Sequence, residues 1–239
     1  MSTNYSPAVV RPGLVLFLDA GNVKSYPGSG STVNNLVPGV AYPSVSLFGD
    51  TVNYGSIANG VVTLGGAKNN SSSGTILRGA GNLGTTINSD FSSMGWLYRT
   101  SSYSGEILSY VESSFRVSFD IDSAAMTFYQ RMQNSPYTVN TTGVVVTNAL
   151  NIWIHFALTK TGNSWAFYKN GTLLGTNTFT MNEVIPAGTA FHIGGAWSDD
   201  DYLSNCMDGK VGPIMHYTRA LSAAEVQQNF NAHKGRFGL

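Results

Sequence analysis

The stretch from Asp208 to Phe230, DGKVGPIMHYTRALSAAEVQQNF, constrains this chain more than any other, because it reads as one β-strand handing directly to a helix. Ser222 is placed to accept a bond from the Glu225 amide while the Glu225 carboxylate reaches back to the Ser222 amide, the reciprocal arrangement of a capping box. Leu221 before the cap and Val226 inside the helix have the spacing of a hydrophobic staple. Ala223, Val226 and Phe230 recur at helical spacing, which predicts a narrow apolar stripe with the Glu, Gln and Asn side chains toward water. His233 and Lys234 suit the negative end of the helix, and Gly235 is expected to close it in the left-handed conformation. A helix this short is not stable alone, so it must dock on a sheet.

The strands of that sheet are legible upstream. Leu14 to Leu18 is a continuous apolar run ending at Asp19-Ala-Gly-Asn22, which predicts a strand buried on both faces. Further strands are expected at Val61 to Leu64, Phe91 to Tyr98, Gly105 to Tyr110, Phe115 to Ile121 and Met126 to Tyr129. From Asn151 to Thr159 the sequence alternates, with Ile152, Ile154, Phe156 and Leu158 on one face and His155 on the other. Asn170-Gly171 supplies the positive backbone angles of a tight hairpin between a tryptophan strand from Ser164 and a short return strand. Phe191 to Gly195 is a last short strand before what reads as a loop, Ala196 to Asn205. With no repeat or interdomain linker, the chain reads as one domain over residues 13–239, preceded by an extended arm, residues 1–12.

Three segments carry a family resemblance. They are Gly13 to Gly30 (GLVLFLDAGNVKSYPGSG), the Trp165 strand with Tyr168-Lys-Asn-Gly171, and Gly209-Lys-Val211 with Tyr217 to Val226. Together they resemble concanavalin A-like lectin/glucanase domains, the laminin G and pentraxin-like jelly rolls, and more narrowly those in structural proteins of tailed bacteriophages. The resemblance implies an all-β, two-sheet antiparallel jelly-roll sandwich with one short C-terminal helix, in which the first long strand pairs with the last. It also implies a virion structural protein, a capsid decoration or fibre component whose partners are other virion proteins. Relatives usually carry an Asp-Gly-Thr-Asp-Asp motif where this chain has GGAKNNSSSG, Gly65 to Gly74, so no role transfers from those carboxylates.

Charge narrows the partners. The 13 basic and 13 acidic residues cancel and charged residues are only 11% of the chain, which argues against nucleic acid, whose phosphates demand excess Lys and Arg. Cys206 is the sole cysteine, so neither an intrachain disulfide nor a Cys-based zinc site is available. The N-terminus does not read as a signal peptide, and no apolar run is long enough to predict a membrane span.

Few residues carry candidate chemistry. Asp120 and Asp122 share a face at a strand end but lack the glutamate spacing of a glycosidase strand, so they read as turn-forming groups. The four histidines have no ligand spacing and read as structural, and no enzyme is expected. In the 196–205 segment, Trp197, Asp199, Asp200 and Tyr202 form a candidate carbohydrate site, by aromatic stacking and hydrogen bonds. Asp199, Asp201 and Asp208 form a candidate Ca²⁺ site, because hard cations take several oxygens from flexible loops; no other cofactor is expected. Tyr5, Val9, Val10 and Arg11 in the arm are candidate attachment points, as is the tail from Gly235 to Leu239, both read as extensions beyond the sandwich. The expected function is therefore a displayed virion protein, with an adhesin for host surface glycans as the alternative and a glycan hydrolase third. The low-charge Ser, Thr and Asn surface is compatible with a homo-oligomer.

Overall fold

The computed structural model describes residues 8–41, 44–49, 55–65, 74–81, 83, 89–101, 105–112, 115–121, 127–134, 138–145, 150–178, 189–198 and 202–239; between 110 and 145, and at 197, 198, 202 and 204, it describes the backbone. The first strands are β1 (Leu14–Leu18), β2 (Thr32–Asn34), β3 (Ser44–Gly49), β4 (Ser56–Ala58), β5 (Val61–Leu64) and β6 (Thr75–Gly79). The middle of the chain forms β7 (Phe91–Arg99), β8 (Gly105–Glu112), β9 (Phe115–Ile121), β10 (Thr127–Asn134) and β11 (Thr138–Val145). Then come β12 (Trp153–Thr161), β13 (Ser164–Lys169), β14 (Thr172–Thr178), β15 (Phe191–Ile193), β16 (Ala196–Ser198), β17 (Tyr202–Ser204) and β18 (Gly209–Tyr217), followed by α1 (Ala223–His233).

Two eight-stranded antiparallel sheets stack face to face. Sheet A has the order β14-β13-β12-β7-β18-β5-β4 with β1 also on β18, and sheet B the order β11-β10-β9-β8-β15-β6-β3-β2. The expected pairing of first and last strands is present, with Phe17 opposite Met215 and Leu18 opposite Ile214. Between the sheets Leu16, Leu18, Leu97, Ile154, Phe156, Trp165, Phe167, Phe191 and Ile193 form the main core. Asn170 and Gly171 adopt φ 51° and 79°, the positive pair the tight hairpin required. Ile152, expected on the core face with Ile154, lies just before β12 and is largely exposed.

Helix α1 seals the other face of sheet A. The capping box forms as expected, with Ser222 Oγ accepting from the Glu225 amide and the Glu225 carboxylate accepting from the Ser222 amide. Leu221 and Val226 join Val9, Val10, Leu14, Phe17, Met94, Ala157 and Met215 in a second apolar cluster. The stripe differs from its sequence reading at two positions: Ala223 is exposed, and Asn229, expected to face water, is fully buried. Asn229 Oδ1 accepts from the Val10 amide at 2.8 Å, its Nδ2 donates to Tyr217 Oη at 3.0 Å, and that hydroxyl donates to the Val10 carbonyl at 3.0 Å. The closed triangle ties the N-terminal segment, the last strand and the helix together.

Both chain ends are thus more integrated than extensions would be. Tyr5 lies outside the described residues; Val9 and Val10 are buried, and of the described attachment candidates in the arm only Arg11 is exposed. The helix does not close at Gly235. It tightens into a 3₁₀ turn, Lys234–Phe237, and Gly238 takes the left-handed conformation at φ 76°. That turn swings Phe237 onto Trp96, with ring centroids 4.3 Å apart, and brings Arg236 to Asp19 at 2.6 Å.

These contacts make the helix network a measurable stability element. Asn229→Ala strips partners from a buried amide and hydroxyl and should destabilise the fold by roughly 1–3 kcal/mol in denaturant unfolding. Deleting residues 1–10 should lower the melting midpoint too, whereas Gln228→Ala, at the exposed Ala8 carbonyl, should change stability by no more than about 0.5 kcal/mol. Unchanged midpoints for both core variants would show the N-terminal segment to be unpacked.

Candidate functional site: the outer face of sheet B

With sheet A covered by the helix, the opposite surface of the sandwich is the outer face of sheet B. Strand alternation puts Val45, Leu77, Phe191 and Ile193 into the core, so the residues between them turn outward. Thr32, Ser46, Arg78, His192 and Ser109 occupy one register row across β2, β3, β6, β15 and β8; Arg78 is exposed and Thr32 and Ser46 half-buried, whereas His192 and Ser109 are buried. Gly79 fixes that choice of face, because a side chain there would collide with the Phe191 ring. Thr32 Oγ1 and Ser46 Oγ lie 3.0 Å apart, and the exposed Arg78 guanidinium sits 4.9 Å from the centroid of the Phe48 ring. Ser46, Phe48, Arg78, Gly79, Ala80 and Ala190 line an open cavity of about 390 Å³. The sequence reading assigned nothing to these residues; the available signal was a lone charge inside the apolar strand Thr75–Gly79.

The segment read as a loop from Ala196 to Asn205 is a two-stranded hairpin on this same side. In it Ala196 pairs with Ser204, Trp197 with Leu203 and Ser198 with Tyr202. Leu203 and Cys206 are fully buried with Ile76, and Phe48 packs against them, which explains why the segment orders as strands and joins it to the Arg78 cavity. Its base is pinned by the buried Glu106 carboxylate, which accepts from Asn205 Nδ2 at 3.0 Å, and by the Met207 amide bonding the Gly194 carbonyl at 2.8 Å. Trp197 therefore stands on a strand opposite Leu203, and Tyr202 stands opposite Ser198; these are successive register positions, which alternate between the two faces of the hairpin.

The remaining candidates divide plainly. Asp199, Asp200, Asp201 and Asp122 lie outside the described residues, and half-buried Asp208 sits just ahead of β18, near Gly65. Among the described residues no three His, Cys, Asp or Glu side chains are grouped to hold a metal ion. Asp120 is opposite Glu106 across β8 and β9, a cross-strand relation that sequence spacing does not reveal.

The buried histidines belong to the scaffold. His155 packs against Trp96 and Phe230, with ring centroids 5.4 and 5.7 Å away, and burial, with His233 nearby, pushes its pKa down to about 3. His216 Nδ1 is 2.7 Å from Ser93 Oγ and its ring stacks on Phe91; burial depresses it likewise to about 3.

Two stacked antiparallel sheets, with a helix sealing one outer face and the Thr32–Ser46–Arg78 part of a polar row open on the other, define a lectin-like jelly roll. The sequence pattern of the concanavalin A-like lectin/glucanases superfamily matches residues 56–227, and the chain belongs to that family. Among solved structures it is similar to the binding domain of botulinum neurotoxin DC in complex with SialylT, at 14% identity and a TM-score of 0.65 over 92% of this chain and 51% of that one. It is also similar to a structure of botulinum neurotoxin type C, a protein dependent for cell uptake on interaction with two ganglioside molecules (15%, TM-score 0.66, 92% and 51%). A third is the binding domain of Paraclostridial Mosquitocidal Protein 1 (16%, TM-score 0.61, 92% and 52%). At these identities the likeness is one of fold, and this chain spans about half the length of each. No curated protein sequence matches the chain significantly.

The histidine environments predict how stability varies with pH. Both rings titrate far below 6.5 when folded, so under mild acid the unfolded chain binds protons that the folded chain refuses. Stability is fully present above pH 6.5 and falls toward pH 3, by roughly 1.4 kcal/mol per pH unit per histidine. Denaturant midpoints measured from pH 7 to 5 should drop by about 2 kcal/mol for each ring, and His155→Phe or His216→Gln should flatten the slope. A level profile would mean that the rings are hydrated.

Proposed function

We propose that this protein is a non-catalytic glycan-recognition domain that binds through the outer face of sheet B beside the β16–β17 hairpin, whose Trp197 and Tyr202, at successive register positions, are its candidate aromatic contacts. The observation that carries the reading is the hairpin itself. It is anchored on the sheet by Leu203 and Cys206 and pinned at its base by Glu106, so it is a built platform beside an open polar surface. Rigid elements hold contact residues more closely than free loops do. Membership of a lectin/glucanase family and the ligands named for the two botulinum neurotoxin structures agree with a sugar as ligand.

A binding role is favoured over hydrolysis because several carboxylates are committed to structure. Asp19 holds Arg236, Glu225 holds Arg219 and the helix cap, Glu106 holds Asn205, and Asp90 accepts from the Gly162 amide. Glycoside cleavage needs two carboxyl groups free to face one bond. The setting we propose is a virion, where the domain is displayed as a capsid decoration or fibre component. That part rests on the resemblance of residues 13–30, 209–211 and 217–226 to tailed-phage structural proteins. Asp199, Asp201 and Asp208 remain the proposed place for a Ca²⁺ ion, and Arg11 the exposed point of attachment to other virion proteins.

A glycan array probed with the full chain should give defined positives, and Trp197→Ala and Tyr202→Ala should each weaken them at least about tenfold, as expected for an aromatic stacking contact. Absence of signal across host surface polysaccharides, or turnover of any of them, would overturn the assignment.

A further inference from the structure

We infer that the glycan this face takes is acidic, and that Arg78 receives its carboxylate in the cavity beside Phe48. The inference rests on the glycan-recognition reading above and names the class of glycan within it.

Arg78 differs from Arg219 and Arg236 in what its charge does. Arg219 and Arg236 are spent on structure, paired with Glu225 at 2.5 Å and Asp19 at 2.6 Å. Arg78 has no carboxylate or hydrogen-bond partner among the described residues, although it stands inside a sheet, flanked in register by Ser46 and His192. Its guanidinium is held by the Phe48 ring at 4.9 Å. A contact through the ring face positions the guanidinium and leaves its N–H fork unspent. Phe48 in turn packs against Ile76, Leu203 and Cys206, so the group that orients the arginine is part of the platform carrying Trp197 and Tyr202.

The surroundings select among anions. The cavity of about 390 Å³ falls in the size range of small-molecule sites. Ala80 and Ala190 leave room beside the guanidinium, and the Ser46 hydroxyl, 3.0 Å from Thr32 Oγ1, offers a neutral hydrogen bond of the kind sugar hydroxyls make. A carboxylate matches the guanidinium fork with two parallel bonds, each about twice as strong as a neutral one. One arginine in a chain of zero net charge suits a single carboxylate on a sugar ring, whereas a polyphosphate strand needs a row of cations.

The test compares matched oligosaccharides on the full chain: a uronic- or sialic-acid-bearing glycan, and the same glycan with that carboxylate reduced to the alcohol. Titration calorimetry should show the acid form bound at least about tenfold more tightly, with the margin shrinking as salt is raised. Arg78→Gln should bind both forms alike, and Arg78→Lys should keep part of the preference because it keeps the charge but not the fork. Melting curves of each variant establish that the fold is intact. Equal binding of acid and reduced forms by the unaltered chain, or a preference that survives Arg78→Gln, overturns the acidic-glycan inference and leaves glycan recognition standing. Failure to bind either form or any neutral glycan removes both.

Discussion

Strand β18 is the member on which the sandwich depends, because it fills one edge with two different partners. Along one side it pairs with β7; along the other, Gly209 to Val211 pair with β5 and Ile214 to Tyr217 with β1. The change of partner falls at Gly212-Pro213, where the register with β7 also shifts. Proline has no amide hydrogen to give a ladder, so inside a central strand it is tolerated at such a break. The break sets the chain's closure, since it places the first strand and the β4–β5 hairpin end to end against one strand. Arg236 then spans the junction, bonding the Asp19 carboxylate after β1 and the Gly60 carbonyl in the β4–β5 turn.

From that closure follows the asymmetry of the molecule. The N-terminal segment, α1 and the C-terminal turn all lie on the outer face of sheet A, where Asn229, Tyr217 and Val10 satisfy one another and Phe237 covers Trp96. Among the described residues, sheet B has no such cover over its Thr32–Ser46–Arg78 row, and the element laid upon that sheet is the β16–β17 hairpin. A sandwich needs its apolar faces buried only once, between the sheets. The second burial event, under the helix, therefore commits one surface to stability and leaves the other to recognition.

How much of this was legible in the sequence depended on how local the cause was. The capping box, the Asn170-Gly171 turn and the alternating strands are short-range patterns, and each formed where it was read. Asn229 was misread because a helical stripe is counted by residue type, and an amide that satisfies partners more than two hundred residues away looks like any solvent-facing asparagine. The same applies to Phe237, whose apolar ring in a polar tail meets Trp96 only once the fold has formed. The β16–β17 segment reads as a loop because its strands are three residues each and its aspartate run dominates the composition; only Leu203 and Cys206 report that it is anchored. Arg78, Phe48 and Ser46 come from two strands joined by register, and no spacing along the chain announces them.

The two faces also differ in the kind of polar group they carry, and that difference is energetic. On sheet A the hydrogen-bonded polar groups Asn229 and Tyr217 are sealed from water. There an unmatched hydrogen-bonding group costs on the order of 1–3 kcal/mol, so each partner is fixed once for the life of the fold. Burial holds the Tyr217 hydroxyl protonated, with its pKa raised to about 12, which keeps it a donor to Val10 under all ordinary conditions. On sheet B, half-buried Ser46 and exposed Arg78 still meet solvent, so water satisfies the Arg78 fork in the free protein and, with the part of the Ser46 hydroxyl that its Thr32 bond leaves over, that bonding capacity stays uncommitted. A ligand that displaces that water must replace its hydrogen bonds, which is what makes such a surface discriminate between chemically similar sugars. The buried network makes the fold unique; the hydrated row gives it something to choose with.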